Sequence, residues 1–138
     1  MTTSSAGEPT PYVRLGGEAG VRALVERFYD LMEMEPDFAQ LRSVHGGSLA
    51  SARENLFLFL SGWLGGPSLY TDRYGPPMLR ARHLPFPIAI TERDQWVACM
   101  RRALVDTGVE SLLVDALMDA FFQTADWMRN RQGPVNKR

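Results

Sequence analysis

The stretch Leu79-Arg80-Ala81-Arg82-His83-Leu84-Pro85-Phe86 decides how the rest of the chain is read. It can form only a short piece of helix, because Pro85 and Pro87 remove backbone donors and disfavour helix just beyond His83. The protein has two histidines in 138 residues, and this one has no cysteine or carboxylate beside it. On spacing alone, a solitary histidine is more often a hydrogen-bonded structural residue than a ligand. Set among aromatic and aliphatic residues, it also suits a metal that brings most of its own ligands. Haem iron is such a metal, since the porphyrin supplies four nitrogens and the protein adds an imidazole in a dry slot.

Outward from this stretch, apolar residues recur with the spacing of helices rather than strands. Val21, Leu24, Val25, Phe28, Leu31 and Met32 predict one face of a helix from about Glu18 to Glu33, closed by Pro36. Asp37 to Arg42 allows a short turn of helix. Leu49, Ala52, Leu56, Phe59, Leu60 and Trp63 line the next helix, ended by Gly65-Gly66-Pro67, and Ser68 to Pro77 reads as loop. Beyond the histidine, Thr91-Glu92-Arg93-Asp94 offers a capping threonine with an acid three residues on, opening a helix from Glu92 to about Asp106. A last helix, Glu110 to Arg131, repeats Val114, Leu117, Met118, Phe121, Ala125 and Met128. The expected class is all-α, with one domain over 12–131 and flexible ends at 1–11 and 132–138.

Composition narrows the function classes. Fifteen basic residues, fourteen of them Arg, oppose sixteen acidic ones in mixed order, which leaves no phosphate-binding stripe and makes nucleic acid a poor partner. Apolar runs fall far short of a bilayer span of about 20 residues. No charged segment followed by an apolar one opens the chain, so no secretory signal is read and a cytoplasmic location is expected. Cys99 is the single cysteine, which excludes an internal disulfide and a thiolate cluster, and its apolar neighbours suggest a small buried hydrophobe.

Around His83, the apolar set Met78, Leu79, Phe86 and Ile88 can line a flat slot, or equally serve as core. Arg80, Arg82, Tyr70 and Tyr74 suit a cofactor whose rim carries two carboxylates. Tyr29 and Trp96 lie on apolar helix faces with polar tips that require partners when buried. Backbone carbonyls are their commoner partners. Aimed instead at bound dioxygen, each donor would contribute roughly 1.5 to 3 kcal/mol. His45, in Val44-His45-Gly46-Gly47, reads as a surface-loop histidine or as a third donor over a cofactor edge.

Taken together, Leu15-Gly16-Gly17, Arg27-Phe28-Tyr29, Leu64-Gly65-Gly66-Pro67 with Tyr70, the histidine stretch and Glu92-Arg93-Asp94-Gln95-Trp96 resemble the second group of truncated haemoglobins over about Tyr12 to Arg131. The resemblance implies a globin-like, truncated two-over-two helical sandwich around haem b (iron protoporphyrin IX). It implies that His83 is the proximal iron ligand, that Tyr29 and Trp96 face bound ligand, and that His45 stands beside it once a one-residue gap is placed in its turn. Ala52 and Leu56 would be the distal-helix positions nearest iron, with a methyl group where many globins place a gating side chain. Phe28, Leu56 and Phe59 would pack at the haem, and Arg80, Arg82 and Tyr70 would meet its propionates.

Three functions compete at this level. One is reversible binding of dioxygen and other diatomic ligands with slow release. A second is haem redox catalysis on peroxide or nitric oxide, which would need an external reductase because no flavin or nicotinamide site is visible. The third is a cofactor-free helical interaction module. Apolar surface on the last two helices is compatible with a monomer or a homodimer.

Overall fold

The computed structural model describes residues 9–131, all helix, turn and loop, with no strand among the described residues. Of the flexible ends expected at 1–11 and 132–138, residues 1–8 and 132–138 lie outside the described residues, while Thr10 and Pro11 cap and open the first helix. In chain order the elements are α1 (Pro11–Arg14), α2 (Gly17–Met34), a 3-10 turn (Pro36–Phe38), α3 (Ala39–Ser43), α4 (Ala50–Trp63), α5 (Leu69–Tyr74), α6 (Leu79–His83), α7 (Ile90–Asp106) and α8 (Ser111–Trp127). Their packing falls into two compact units, residues 9–26 with 50–77 and residues 27–49 with 78–131, and α2 runs from one into the other.

In the first unit, Thr10 caps α1 by accepting a bond from the Val13 amide at 3.3 Å, with Pro11 placed where a missing donor costs nothing. The Tyr12 amide bonds the Leu64 carbonyl at 2.9 Å, and the Tyr12 ring lies so close to Gly66 that a Cβ there would stand 2.4 Å from Cδ1. The glycine pair after α4 is thus a landing surface for α1 as well as a stop signal. Gly20 has the same kind of duty: a Cβ on it would lie 1.8 Å from the Leu15 carbonyl oxygen. Ser61, fully buried, gives its hydroxyl to the Pro67 carbonyl at 2.7 Å and fixes the turn into α5. Residues 68–77, expected as loop, contain α5 because Tyr70 packs edge-on against Phe59 of α4, with ring centroids 6.4 Å apart. Tertiary contact here outweighs the weak local signal.

In the second unit, α7 and α8 pack side by side across the short turn at Gly108 (φ 84°), burying Cys99, Met100, Ala103 and Leu104 with Leu113, Val114, Leu117, Met118 and Phe121. The 3-10 turn and α3 rest on α7, where Gln95 Oε1 accepts from the Leu41 amide at 2.9 Å. The start of α7 differs from expectation. Ala89, not Thr91, is the N-cap, and the carboxylate of Glu92 reaches back to accept from the Ala89 amide at 2.8 Å. The other Glu92 oxygen takes the Gln40 amide at 3.0 Å, so the buried carboxylate is bonded on both sides. A third-position glutamate with two partners outcompetes a threonine hydroxyl two residues beyond the N-cap. At the far end α8 stops at Trp127, four residues before the expected Arg131. Arg80 turns the chain there by binding the Trp127 and Arg129 carbonyls.

Candidate functional site

His83 closes α6, and its Nδ1 lies 2.7 Å from the carbonyl oxygen of Leu79, one turn back. A carbonyl only accepts, so Nδ1 carries the proton. Nε2 of the neutral ring is then a lone pair, and no described residue bonds to it. Met78 enters α6 in the left-handed region (φ 50°, ψ 50°), a conformation that costs a side-chain-bearing residue about 1 kcal/mol or more. It leaves Met78 62% exposed, and Phe86 is 44% exposed on the other side of the histidine. Leu79 and Ile88 are half-buried. An imidazole lone pair with exposed apolar side chains on either side of it in the chain fits a flat, apolar metal macrocycle. It does not fit a bare ion, and no group of three or more metal-ligating side chains occurs among the described residues.

Of the two arginines expected at the rim, Arg82 is exposed, and Arg80 places Nη1 on the Trp127 and Arg129 carbonyls and its guanidinium 5.3 Å over the Trp127 ring. Only the remaining edge of Arg80 is left for an anion.

A second cluster in the same unit joins three elements. Phe28, on α2, meets Tyr29 edge-on at 4.9 Å between centroids and Trp96 of α7 at 5.3 Å. Trp96 also contacts Phe121 at 5.5 Å. Phe28 is fully buried and Tyr29 is 5% exposed, so Phe28 acts as the wedge that orients both polar-tipped rings. The Tyr29 ring stands 5.9 Å from His45, nearly perpendicular to it.

His45 is set by a turn that the Arg42 guanidinium pins through the Gly46 and Gly47 carbonyls at 2.8 and 2.6 Å. Its Nδ1 lies 3.0 Å from the Leu41 carbonyl, repeating the bond that His83 makes. Burial pushes its pKa below the ordinary imidazole value, with the Leu41 bond opposing and the charges of Arg42 and His83 adding to the fall. Neutral His45, protonated at Nδ1 by this bond, carries its lone pair on Nε2.

Ala52, Leu56, Phe59 and Tyr70 belong to the other unit. Ala52, Leu56 and Phe59 are half-buried on α4, and Tyr70 on α5 joins Phe59 to Tyr74, whose centroid lies 5.0 Å from its own. Cys99 is wholly buried, with its thiol donating to the Phe28 carbonyl at 3.2 Å. Sequence reasoning missed Arg42 and Asn130. Nothing in the local pattern marks an arginine that pins a histidine turn, or an asparagine inside what reads as continuous helix.

The family model for bacterial-like globins matches residues 10–130. The chain is 37% identical over 121 residues to the group 2 truncated hemoglobin of Bacillus subtilis (strain 168), covering 88% of this chain and 89% of that one. Among solved structures it is similar to the cold-adapted truncated hemoglobin of Pseudoalteromonas haloplanktis TAC125, at 45% identity and TM-score 0.86, covering 89% of this chain and 99% of the other. It is similar also to the group II 2-on-2 hemoglobin of Agrobacterium tumefaciens, at 38% identity and TM-score 0.87, covering 96% and 100%. The chain belongs to the bacterial-like globins, a family that binds haem and small diatomic ligands. Within that family it is a group II truncated haemoglobin with the two-over-two fold.

Proposed function

We propose that the chain binds dioxygen reversibly and releases it slowly, at a haem b group held by His83 and facing Tyr29 and Trp96. The observation that carries this reading is the fixed tautomer of His83. Its proton is committed to Leu79, so the ring is oriented and presents Nε2 without reorganising. Met78, Leu79, Phe86 and Ile88 supply apolar surface on that side, and Leu56 and Phe59 are assigned the same role on α4. Arg82 and Tyr70, with the remaining edge of Arg80, are the partners assigned to the propionates. Haem supplies the bond to dioxygen, and the chain decides how long the ligand stays.

Tyr29 and Trp96 are assigned that second task. Their hydroxyl and indole N–H are donors on rings fixed by Phe28, so they meet partial negative charge on the ligand with little reorganisation. At roughly 1.5 to 3 kcal/mol each, the two bonds slow escape by about tenfold to a hundredfold apiece. His45 contributes polarity of the opposite sense, a lone pair that orients a hydroxyl rather than a donor for dioxygen. Ala52 leaves the distal side without a polar gate. The solved haemoglobin of Bacillus subtilis, 37% identical to this chain, is described as oxygen-avid, which supports the same reading.

Stopped-flow oxygen dissociation from the ferrous protein tests the proposal. Slow release that accelerates in Tyr29→Phe and Trp96→Phe is expected. Unchanged rates in both variants contradict it, and rapid steady-state consumption of peroxide or nitric oxide with an added reductase would replace the carrier by an enzyme.

A further inference from the structure

The loop that follows the proximal histidine cannot hold itself together. Between His83 and Ile88 two of the four intervening residues are Pro85 and Pro87, which bring no amide hydrogen. Only two local bonds form there, from the Leu84 amide to Ala81 at 3.3 Å and from the Phe86 amide to His83 at 3.0 Å. The remaining groups must find partners elsewhere or stay unsatisfied.

Asn130, beyond the end of α8, supplies them. Its Nδ2 donates to the His83 carbonyl at 3.1 Å and to the Phe86 carbonyl at 2.9 Å. Its Oδ1 accepts from the Ile88 amide at 3.0 Å. The backbone amides of Asn130 and Arg131 complete the seam on the Ile88 carbonyl at 2.9 and 3.0 Å. A side-chain amide is required, because it alone combines two donor hydrogens with an acceptor oxygen on one planar group. An aspartate would keep the acceptor for Ile88 and turn a carboxylate toward two carbonyls. The segment that carries Asn130 is itself placed by α6, where Arg80 binds the Trp127 and Arg129 carbonyls. The element bearing His83 and the segment after α8 therefore grip each other from both ends of α6.

We propose that Asn130 is a positioning residue for the proximal histidine: through the His83 carbonyl and the proline loop it fixes where the imidazole stands and so how firmly iron is held. This rests on the haem reading of His83. The consequence is that the end of the chain, remote in sequence from the ligand side, tunes both haem retention and the tension on the iron–imidazole bond.

The test uses full-length protein reconstituted with haemin, as wild type, Asn130→Ala and Asn130→Asp, with Arg101→Ala as an exposed control. Two quantities are read: the iron–histidine stretching band of the ferrous unliganded protein by resonance Raman, and the rate of haemin transfer to excess apomyoglobin. A shifted or broadened band and roughly tenfold faster haem loss are expected in both Asn130 variants, about the effect of losing one or more of these bonds, with the control unchanged. Asn130→Asp keeps the Ile88 bond and so decides between the outcomes if Asn130→Ala fails to fold. Folded variants with the wild-type band and the wild-type rate of haem loss overturn the proposal and leave the haem reading standing. A wild-type protein with no iron–histidine band overturns both.

Discussion

The imidazole of His45 bonds through Nδ1 to the carbonyl of Leu41 at 3.0 Å, the one-turn-back arrangement that His83 forms with Leu79 at 2.7 Å. Both histidines are thereby fixed in one tautomer with the proton on Nδ1, although they sit in unrelated local structure, a glycine turn and a helix end. For His83 this leaves the lone pair on Nε2. For His45 it leaves Nε2 of the neutral ring as an acceptor.

A pH dependence follows for His45. Its folded pKa is lowered, so below the ordinary value of 6.5 the unfolded chain takes up a proton that the folded chain refuses until the pH reaches the lower value. Stability from this group is fully present above pH 6.5 and declines as pH falls through that window. In urea denaturation of the apo-protein, wild type should lose more stability between pH 7.5 and pH 5.5 than His45→Gln (conditions chosen to bracket about 6.5). Parallel losses would show that His45 is not held neutral.

The ligand side should respond to donors and not to His45. Tyr29→Phe and Trp96→Phe are each expected to speed oxygen release about tenfold to a hundredfold. His45→Ala, which removes an acceptor, should change it less than either at neutral pH. A His45→Ala effect as large as that of Tyr29→Phe would show that His45 donates after all.

Cys99 is expected to be inert. Burial pushes its thiol up to about 12, and its hydrogen is bonded to the Phe28 carbonyl. A thiol reagent at mildly alkaline pH should label it only after denaturant is added, because the reactive species is the thiolate. Stoichiometric labelling of the native protein would contradict the burial.

Gly20 offers a test in which two effects have opposite sign. On an open helix, Gly→Ala stabilises by about 0.8 to 1 kcal/mol. Here the new methyl would lie 1.8 Å from the Leu15 carbonyl oxygen, which is backbone and cannot turn aside like a side chain. The clash, of order 1 to 3 kcal/mol or more, should win and lower the unfolding midpoint of Gly20→Ala. An unchanged or higher midpoint would mean that Leu15 yields freely.

Much of this was legible in the sequence, for reasons particular to each element. The long helices carry amphipathic faces, so Leu24, Phe28, Met100, Leu117 and Phe121 revealed both helix and core. His83 stands out in the sequence because prolines isolate it and its neighbours form an ordered set. Less visible were the features that depend on tertiary partners. The helix at Leu69–Tyr74 follows from Tyr70 meeting Phe59, and the start of α7 follows from Glu92 finding both Ala89 and Gln40. The end of α8 depends on Arg80, far upstream in the chain, and no local breaker precedes Arg131. The sense of His45 as acceptor is set by one carbonyl and one proton, a matter no residue pattern records.

Haemin titration of His83→Gly against wild type reads whether His83 holds haem through Nε2. Wild type should take up one equivalent with an intense Soret band and keep it against apomyoglobin. His83→Gly should bind weakly and recover the wild-type spectrum when free imidazole is added to fill the space left by the side chain. A His83→Gly protein that binds haemin as tightly as wild type, with the same spectrum and no response to imidazole, would contradict the account.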